Sequence, residues 1–442
     1  MRDILVCLMT LGPLPYALAH PWVGMMVWVF VSLLNPHRYT WGFANGMPLA
    51  AAAAAAIFAG IVFTRDERRA PTSAPAIILI LLSLWICVTQ AFAIFPEPSI
   101  PMLSRVLKIY LLTVVAMCVI VTPKQIRSMV WVMTLSILVL SAKGGLFTLL
   151  SAGAYRVWGP PESFIEDNNS FALAALMVVP LTIFLAGEIR ERHKWWSRVL
   201  IGCVPLSILS ALGSHSRGAL LAMLAMLAFL IAKSRKKFML IVLVIAAAPA
   251  VIAFLPQEWF ARMETIETYQ QDASAQGRLN SWHMAFNLAK DRITGGGFAL
   301  ANRAVFEMYA PDPTIPLAAH SIYFQVLGEH GFIGLFLFLS LWFVTWRQAK
   351  WVARNASSMP ELAWMANLAS MIQVSLIAYL AGGAFLSMSY WDMPYYEVVV
   401  VVAMRRHIME RQAALAREPF AQQIGGTSSI GTTTPTSSQP AA

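Results

Sequence analysis

His320 lies where a polar segment, residues 256–320, meets a long apolar run that begins near Ile322. An imidazole at the edge of an apolar region titrates near neutral pH, so it can accept a proton from a hydroxyl nucleophile. A histidine in this position can equally hydrogen-bond a main-chain carbonyl, and position alone does not separate the two roles. His330, about three helical turns further along, could share the same face at greater depth, but a packing or snorkelling role is favoured.

A second group of candidate residues is Ser214-His215-Ser216-Arg217, a short polar segment that joins two apolar runs. Arg217 has no acidic neighbour in sequence, and an arginine beside a membrane is costly unless an anion meets it. Its guanidinium group donates paired hydrogen bonds that suit a phosphate or a diphosphate. His215 and Ser216 would form a polar pocket beside it. The alternative is that Arg217 reaches lipid headgroups.

An amphipathic helix is predicted by residues that recur at spacings of three and four, namely Arg278, Trp282, Ala285, Phe286 and Ala289. This helix would lie on the membrane surface or cap a cavity. Arg278 is then either a second phosphate ligand or a surface charge near a helix end. The following Gly295-Gly296-Gly297 is interpreted as a flexible turn, since a lone glycine triplet is weak evidence for a nucleotide site.

The segment 151–169 combines a cation, an aromatic ring and amides, which are groups that bind saccharides. Arg156 and Trp158 are candidates for contact with a sugar, and Asn168 or Asn169 could bond its hydroxyls. The adjacent carboxylates of Glu166 and Asp167 are poor evidence for a divalent cation. A capping role for Asp167 or Asn168 at the next helix is equally consistent with the sequence. We therefore predict neither a metal site nor a cofactor.

The elements that must position these residues are membrane helices. Of the 442 residues, 58% are hydrophobic and 12% are charged, whereas soluble domains carry about 25% charged residues. The apolar runs are continuous and long enough to cross a hydrocarbon core of about 30 Å, which favours helices over a barrel. We expect an all-α, polytopic membrane helix bundle of 12–13 spans, with one large extracytoplasmic loop between late spans.

The net charge of +10 arises from short basic clusters between the apolar runs, the pattern of the positive-inside rule. The clusters fall at 65–69, 124–127, 190–198, 233–237, 347–354 and 405–411. We therefore expect the protein to lie in a lipid bilayer and not to bind nucleic acid. The four cysteines all lie in apolar runs without the spacing of a metal site or a disulfide framework, at positions 7, 87, 118 and 203.

If the basic clusters face the cytoplasm, the same alternation places five segments outside: 95–104, 151–169, 214–216, 256–320 and 386–394. The predicted organisation is a transmembrane bundle over 1–255, a periplasmic loop over 256–320 and C-terminal spans over 321–410. Residues 411–442 would form a cytoplasmic tail that is disordered, since its end is rich in Ser, Thr, Pro and Gly.

These residues together resemble the O-antigen ligase and polysaccharide polymerase superfamily. The resemblance rests on Arg217 in Ser-Arg-Gly-Ala-Leu-Leu, on Arg278-x-x-x-Trp282 before the glycine triplet, and on His320 with its following helix. The opening, with Asn35-Pro36-His37-Arg38 and Trp41-Gly42-Phe43-Ala44, is similar to O-glycosylation ligases associated with the exosortase A system. The resemblance covers roughly residues 1–410. Ser321 stands where related ligases often carry Asn, so an amide that could orient the acceptor is missing.

The resemblance implies glycosyl transfer from a polyprenyl-diphosphate-linked glycan to an acceptor hydroxyl, at the periplasmic face of a bacterial inner membrane. By this analogy His320 would be the general base, and Arg217 and Arg278 would hold the diphosphate. The reaction would invert the anomeric carbon without a metal ion. The acceptor would be a hydroxyl-bearing polysaccharide, lipid or protein.

Two other functions fit the sequence in part. A polymerase that joins repeat units would use the same site, and little in the sequence separates it from a ligase. A flippase or exporter of lipid-linked glycans should carry polar residues midway through several spans. The polar residues noted above cluster at one membrane face, which favours an enzyme.

Overall fold

The computed structural model describes residues 1–234, 236–255, 257, 259–260 and 273–426, and no β-strand occurs in these ranges. Eight of the described helical stretches are long and apolar enough to cross a membrane, and three shorter apolar helices accompany them. From residue 47 onward, each apolar run that the sequence predicts as a span overlaps a described helix. The predicted all-α polytopic membrane architecture is confirmed.

The described ranges contain sixteen α-helices. In chain order they are α1 (Arg2–Leu11), α2 (Leu14–Ala19), α3 (Pro21–Leu34), α4 (Leu49–Phe63), α5 (Ala74–Ala91), α6 (Pro96–Val119), α7 (Pro123–Leu150), α8 (Asn168–Ile189), α9 (Lys194–Leu212), α10 (Arg217–Lys233), α11 (Lys237–Phe254), α12 (Ala273–Asp291), α13 (Arg303–Tyr309), α14 (Ile322–Ala356), α15 (Ala363–Gly383) and α16 (Asp392–Gly426).

The bundle is arranged around α8, whose apolar stretch is 89% buried, against 33% for α5 at the periphery. Asp167 begins α8 by accepting hydrogen bonds from the main-chain N–H groups of Asn169 and Ser170. This N-cap satisfies two of the donors that the first turn of a helix leaves free. Of the two capping residues considered from the sequence, Asp167 is therefore the cap.

The five segments predicted to lie outside meet at one end of the bundle, which we call the outer end. Each is joined to another by a contact: Ser99 Oγ to Phe298 O at 2.8 Å, Asn168 Nδ2 to Ser214 O at 2.6 Å, His320 N to Ser387 Oγ at 3.1 Å, and Gly218 against Phe385. Residues that are far apart in sequence are thereby gathered on one surface.

The basic clusters meet at the opposite end of the bundle. Several of them are tied together by polar contacts: Arg69 Nε to Glu410 Oε1 at 3.0 Å, Arg127 Nε to Glu188 Oε1 at 2.5 Å, Arg411 Nε to Glu361 Oε1 at 3.5 Å, and Arg406 Nη1 to Met117 O at 3.0 Å. The contacts thus bring several of the predicted basic clusters to one end of the fold, as the positive-inside interpretation expects.

Helix α14 is broken at Gly331, which has φ 66° and ψ −172°. The break frees the carbonyl groups of Gly328 and Glu329, which accept hydrogen bonds of 2.9 Å from the N–H groups of Gly296 and Gly297. Non-helical backbone at membrane depth is stable only when such groups find partners. The interpretation of the glycine triplet as a flexible turn was therefore wrong, because its main chain is paired.

Glycine is required in this pairing for steric reasons. Gly297 has φ 75°, and a Cβ there would lie 2.4 Å from Ala93 Cβ. A Cβ on Gly331 would lie 2.2 Å from the carbonyl oxygen of Ile293. Gly331 can therefore approach Ile293, and Gly297 can approach Ala93, only because neither glycine carries a side chain.

The last helix, α16, continues to Gly426 and so covers residues 411–426 of the predicted disordered tail. Its Arg, Gln, Ala and Glu residues favour helix over coil, which accounts for the continuation. Residues 427–442, the rest of that prediction, lie outside the described residues. The same holds for 261–272 in the predicted periplasmic loop.

Candidate functional site

His320 occupies an unusual backbone conformation just before α14, with φ 44°. A positive φ is uncommon for a residue with a side chain and persists only where the surroundings hold it. Its main-chain N–H donates a hydrogen bond to Ser387 Oγ at 3.1 Å. The half-buried imidazole is therefore held at a defined place at the outer end.

Trp282 of α12 secures the chain on the other side of His320. Its indole N–H donates a hydrogen bond of 2.7 Å to the carbonyl oxygen of Ala319. The same ring stacks on Phe324 with a centroid separation of 4.9 Å and an interplanar angle of 7°. The predicted amphipathic helix thus packs against α14, and its aromatic residue fixes the segment that carries His320.

The environment of His320 favours a neutral imidazole. Burial lowers the pKa of His320, the nearby positive charge of Arg278 lowers this pKa further, and the carboxylate of Asp167 acts in the opposite direction. A histidine with a lowered pKa is unprotonated at neutral pH and can accept a proton. Arg278 lies one turn before Trp282, whose indole binds the residue before His320, so α12 places this arginine on the side of the His320 segment.

Arg217 is the first residue of α10, directly after the N-cap Ser216. Ser216 Oγ accepts a hydrogen bond of 3.2 Å from the N–H of Ala219, which fixes the start of the helix. A Cβ on Gly218 would lie 3.2 Å from Phe385 Cβ, so α10 begins against the segment that leads to Ser387. The start of α10 and the His320 segment therefore both contact the stretch 385–387.

Two predicted substrate-binding residues use their side chains to join loops. His215, which is 6% exposed, donates a hydrogen bond from Nε2 to the carbonyl oxygen of Gly153 at 3.0 Å. Asn168 donates from Nδ2 to the carbonyl oxygen of Ser214 at 2.6 Å. These bonds tie segments 151–169 and 214–216 together and so support the start of α10.

Arg156 and Trp158 are both exposed at the outer end, and the side chain of Trp158 is 59% exposed. Between them, the N–H of Val157 donates a hydrogen bond to the carbonyl oxygen of Gly213 at 3.1 Å. The backbone is thereby anchored to the bundle while the two flanking side chains stay accessible. Both can contact a ligand that approaches from outside the membrane.

The adjacent carboxylates of Glu166 and Asp167 are used for local bonds, whereas Glu162 forms an ion pair with Arg38 at 2.7 Å. Asp167 caps α8, and Glu166 Oε2 accepts a hydrogen bond of 2.9 Å from the N–H of Glu162. Over the described ranges, no group of three His, Cys, Asp or Glu side chains is close enough to hold a metal ion.

Sequence reasoning missed a buried polar network on α14, behind the site. Glu329 accepts hydrogen bonds from Tyr390 Oη at 2.5 Å and from Gln325 Nε2 at 3.3 Å. Ser389 donates to Gln325 Oε1 at 2.9 Å. A carboxylate inside a predicted span was the available signal, because such residues are rare and mark specific interactions.

His330 is fully buried and shares a hydrogen bond of 2.8 Å with Thr89 Oγ1. Its ring also packs edge-on against Phe298, with centroids 5.0 Å apart. The packing role predicted for His330 is confirmed.

Two family models match the chain. Residues 201–339, which include Arg217, Arg278 and His320, match the O-Antigen ligase family. Residues 1–189 match a family of unknown function (DUF5935). No match was found among curated proteins. The first match supports the superfamily resemblance and, in general terms, a membrane ligase of the glycosyltransferase kind.

Proposed function

We propose that this protein is an O-antigen-ligase-type glycosyltransferase that moves a glycan from a polyprenyl-diphosphate carrier to an acceptor hydroxyl. The observation that carries the proposal is the placement of a half-buried His320 beside Arg278, at the end of the bundle where the polar segments meet. The match of this region to the O-Antigen ligase family supports the same conclusion. We further propose an O-glycosylation ligase of the exosortase A system, on the resemblance of residues 35–44.

His320 acts as the general base in the proposed reaction. The neutral imidazole accepts the proton of the acceptor hydroxyl as its oxygen attacks the anomeric carbon of the donor. The bond between that carbon and the diphosphate oxygen breaks, and the polyprenyl diphosphate leaves with the bonding electron pair. Direct displacement of this kind inverts the configuration at the anomeric carbon.

Arg217 and Arg278 stabilise the charge that develops on the leaving diphosphate. Guanidinium groups that are fixed before the reaction stabilise the transition state more than the ground state when charge grows towards them. The mechanism needs no metal ion, since the two arginines supply the positive charge. Ser216, at the start of α10, holds Arg217 in position.

The exposed side chains at the outer end serve the saccharide part of the substrates. We assign Arg156 and Trp158 to contacts with the glycan, because a cation and an aromatic face suit sugar hydroxyls and rings. His215 and Asn168 act indirectly by fixing the loops that carry these residues. The positive-inside pattern supports a periplasmic location for this surface in a bacterial inner membrane.

The decisive experiment replaces His320 by Ala in the native host and measures glycan transfer at a matched level of membrane protein. Loss of a general base should lower the rate by about 10² to 10⁴-fold. His283→Ala is the matched control, because His283 is an exposed histidine on α12 beside Trp282. Normal transfer by His320→Ala would rule out the general-base assignment.

The same assay separates the rival functions by their products. Growth of the glycan chain by repeat units in place of attachment to a different acceptor would indicate a polymerase. Movement of the lipid-linked glycan across the membrane without transfer, unaffected by His320→Ala, would indicate a flippase.

A further inference from the structure

A second cleft lies at the outer end, between α3, α6 and the start of α16. Its volume is about 240 Å³, and no catalytic residue proposed above is among its described lining residues. Its charged and aromatic lining residues are Trp28 on α3, Arg105 and Lys108 on α6, Phe164 from segment 151–169, and Asp392 at the start of α16. The proposed function leaves these residues without a role.

Arg105 and Lys108 lie on one face of α6, within a stretch that is apolar enough to span the membrane. Arg105 directly follows the predicted outer segment 95–104, and Lys108 lies about one helical turn, or about 4.5 Å, further along the axis. Cations on a membrane-spanning helix are costly unless an anion, a water-filled cavity or the membrane interface receives them. Among the described residues, neither takes part in an ion pair.

The two cations are accessible from the cleft. Both side chains are exposed, and the Arg105 guanidinium lies over the ring of Phe164 at 3.7 Å from its centroid. Stacking on an aromatic face restricts the guanidinium plane but leaves the N–H groups at its edge free to donate. The arginine is thereby oriented for a ligand before any ligand arrives.

A fixed hydrogen-bond acceptor completes the cleft. Asp392 is 4% exposed, and its Oδ1 accepts a hydrogen bond of 3.1 Å from Tyr396 Oη. Tyr396 Oη in turn lies 2.8 Å from Ser32 Oγ. A carboxylate that is held in this way can accept hydrogen bonds from hydroxyl groups, and the indole of Trp28 forms a wall beside it.

The cleft lies close to His320. Asp392 follows Ser387, the partner of the His320 N–H, by five residues, which span at most about 18 Å when extended. Phe164 precedes Asp167, whose charge acts on the His320 imidazole, by three residues, or at most about 11 Å. Residues that line the cleft therefore lie within about 20 Å of the His320 segment, a distance that an oligosaccharide bound in the cleft would have to span.

We propose that this cleft binds an anionic saccharide of the acceptor. Arg105 and Lys108 receive the negative group, Asp392 accepts hydrogen bonds from hydroxyls, and the rings of Trp28 and Phe164 contact the sugar faces. The cations outnumber the carboxylate in the cleft, which favours a negatively charged ligand over a neutral one. The assignment of this ligand as the acceptor rests on the proposed transferase function, whereas its binding does not.

The binding test uses the full-length protein in nanodiscs of phosphatidylcholine. Glucose 1-phosphate is the probe, glucose is the neutral control, and binding is followed by saturation-transfer NMR. The double variant Arg105→Gln/Lys108→Gln should weaken binding of the probe at least tenfold. Arg303→Gln is the matched control, because Arg303 is an exposed cation at the outer end, away from the cleft.

The charge-conserving variant Arg105→Lys/Lys108→Arg checks that the loss reflects charge and not misfolding, since it should retain most of the binding. Equal affinity of wild type and the double glutamine variant for the probe would overturn the proposal. So would equal affinity for glucose and glucose 1-phosphate. Loss of probe binding when phosphatidylglycerol replaces phosphatidylcholine would also overturn it, by assigning the cleft to a lipid headgroup.

A transfer assay separates this inference from the proposed function. Arg105→Gln/Lys108→Gln should raise KM for the acceptor at least tenfold and leave KM for the donor unchanged, whereas His320→Ala should lower kcat. If His320→Ala transferred normally but the cleft variant still lost the probe, the general-base proposal would fail and the cleft assignment would stand. An unchanged acceptor KM in the cleft variant would remove the acceptor assignment.

Discussion

The main-chain N–H of His320 donates a hydrogen bond of 3.1 Å to Ser387 Oγ, which links the start of α14 to the segment between α15 and α16. The contact matters because His320 has a positive φ, a conformation that needs support from its surroundings. The hydrogen bond from Trp282 to Ala319 supports the neighbouring residue. Two partners from different parts of the chain therefore hold the proposed general base.

The pH dependence of transfer should reflect the lowered pKa of His320. Because the neutral imidazole is the active form, kcat/KM should be constant around neutral pH and fall only below the usual histidine pKa of about 6.5. Arg278→Gln removes a charge that lowers this pKa, so the fall should begin at a higher pH. A pH–rate profile of both proteins checks the shift, and an identical acid limb in the two profiles would contradict it.

The two arginines should not tolerate lysine. Arg217→Lys and Arg278→Lys each keep the charge but lose paired hydrogen bonds to a diphosphate, at a cost of about 2 kcal/mol or roughly thirtyfold in kcat/KM for the donor. Arg303→Lys is the control, since Arg303 pairs with Glu307 on the exposed surface. Unchanged donor kinetics in both variants would exclude the diphosphate contact.

Trp282 should position His320 mainly through its N–H group. Trp282→Phe keeps a ring for stacking on Phe324 but removes the bond to Ala319, worth about 1 kcal/mol, and kcat should fall severalfold. Trp282→Ala loses both contacts and should fall further. Trp195→Phe, at an exposed tryptophan in the first turn of α9, controls for a general effect of the substitution. Wild-type kcat in Trp282→Phe would assign positioning to the stack alone.

The glycine pairing at the break in α14 should be sensitive to a single methyl group. Gly297→Ala places a Cβ 2.4 Å from Ala93 Cβ at a positive φ, which should cost about 2 kcal/mol or more in unfolding free energy. Gly202→Ala, inside α9 with no atom within 4 Å of the new Cβ, should be neutral or stabilising. Thermal unfolding in detergent compares the two, and equal melting temperatures would contradict the prediction.

The two ends of the bundle should lie on opposite sides of the membrane. In a cysteine-free background, Asp312→Cys at the outer end should react with a membrane-impermeant maleimide added outside the cytoplasmic membrane. Ser357→Cys, exposed at the basic end between α14 and α15, should react only after permeabilisation. Labelling of both positions from the same side would show that the predicted topology is wrong.

The sequence by itself determined the all-α membrane class, the positions of the helices and the grouping of polar segments. These properties are local: a continuous apolar run must form a helix in lipid, and basic clusters orient it. The period of three and four in residues 278–289 likewise predicted α12. His320, Arg217 and Arg278 were predicted as site residues from residue type and position relative to the apolar runs, and their roles remain predictions.

Only the tertiary structure decided which atoms of these residues are available for chemistry. His215 and Asn168 donate side-chain hydrogen bonds that join two loops. The main chain of the glycine triplet forms hydrogen bonds with α14 at its break. It also placed Arg105 near Phe164 and Asp392 in one cleft. The physical reason is that each of these contacts joins residues far apart in the chain, and no local pattern of hydropathy or spacing encodes which distant partner a polar group will meet.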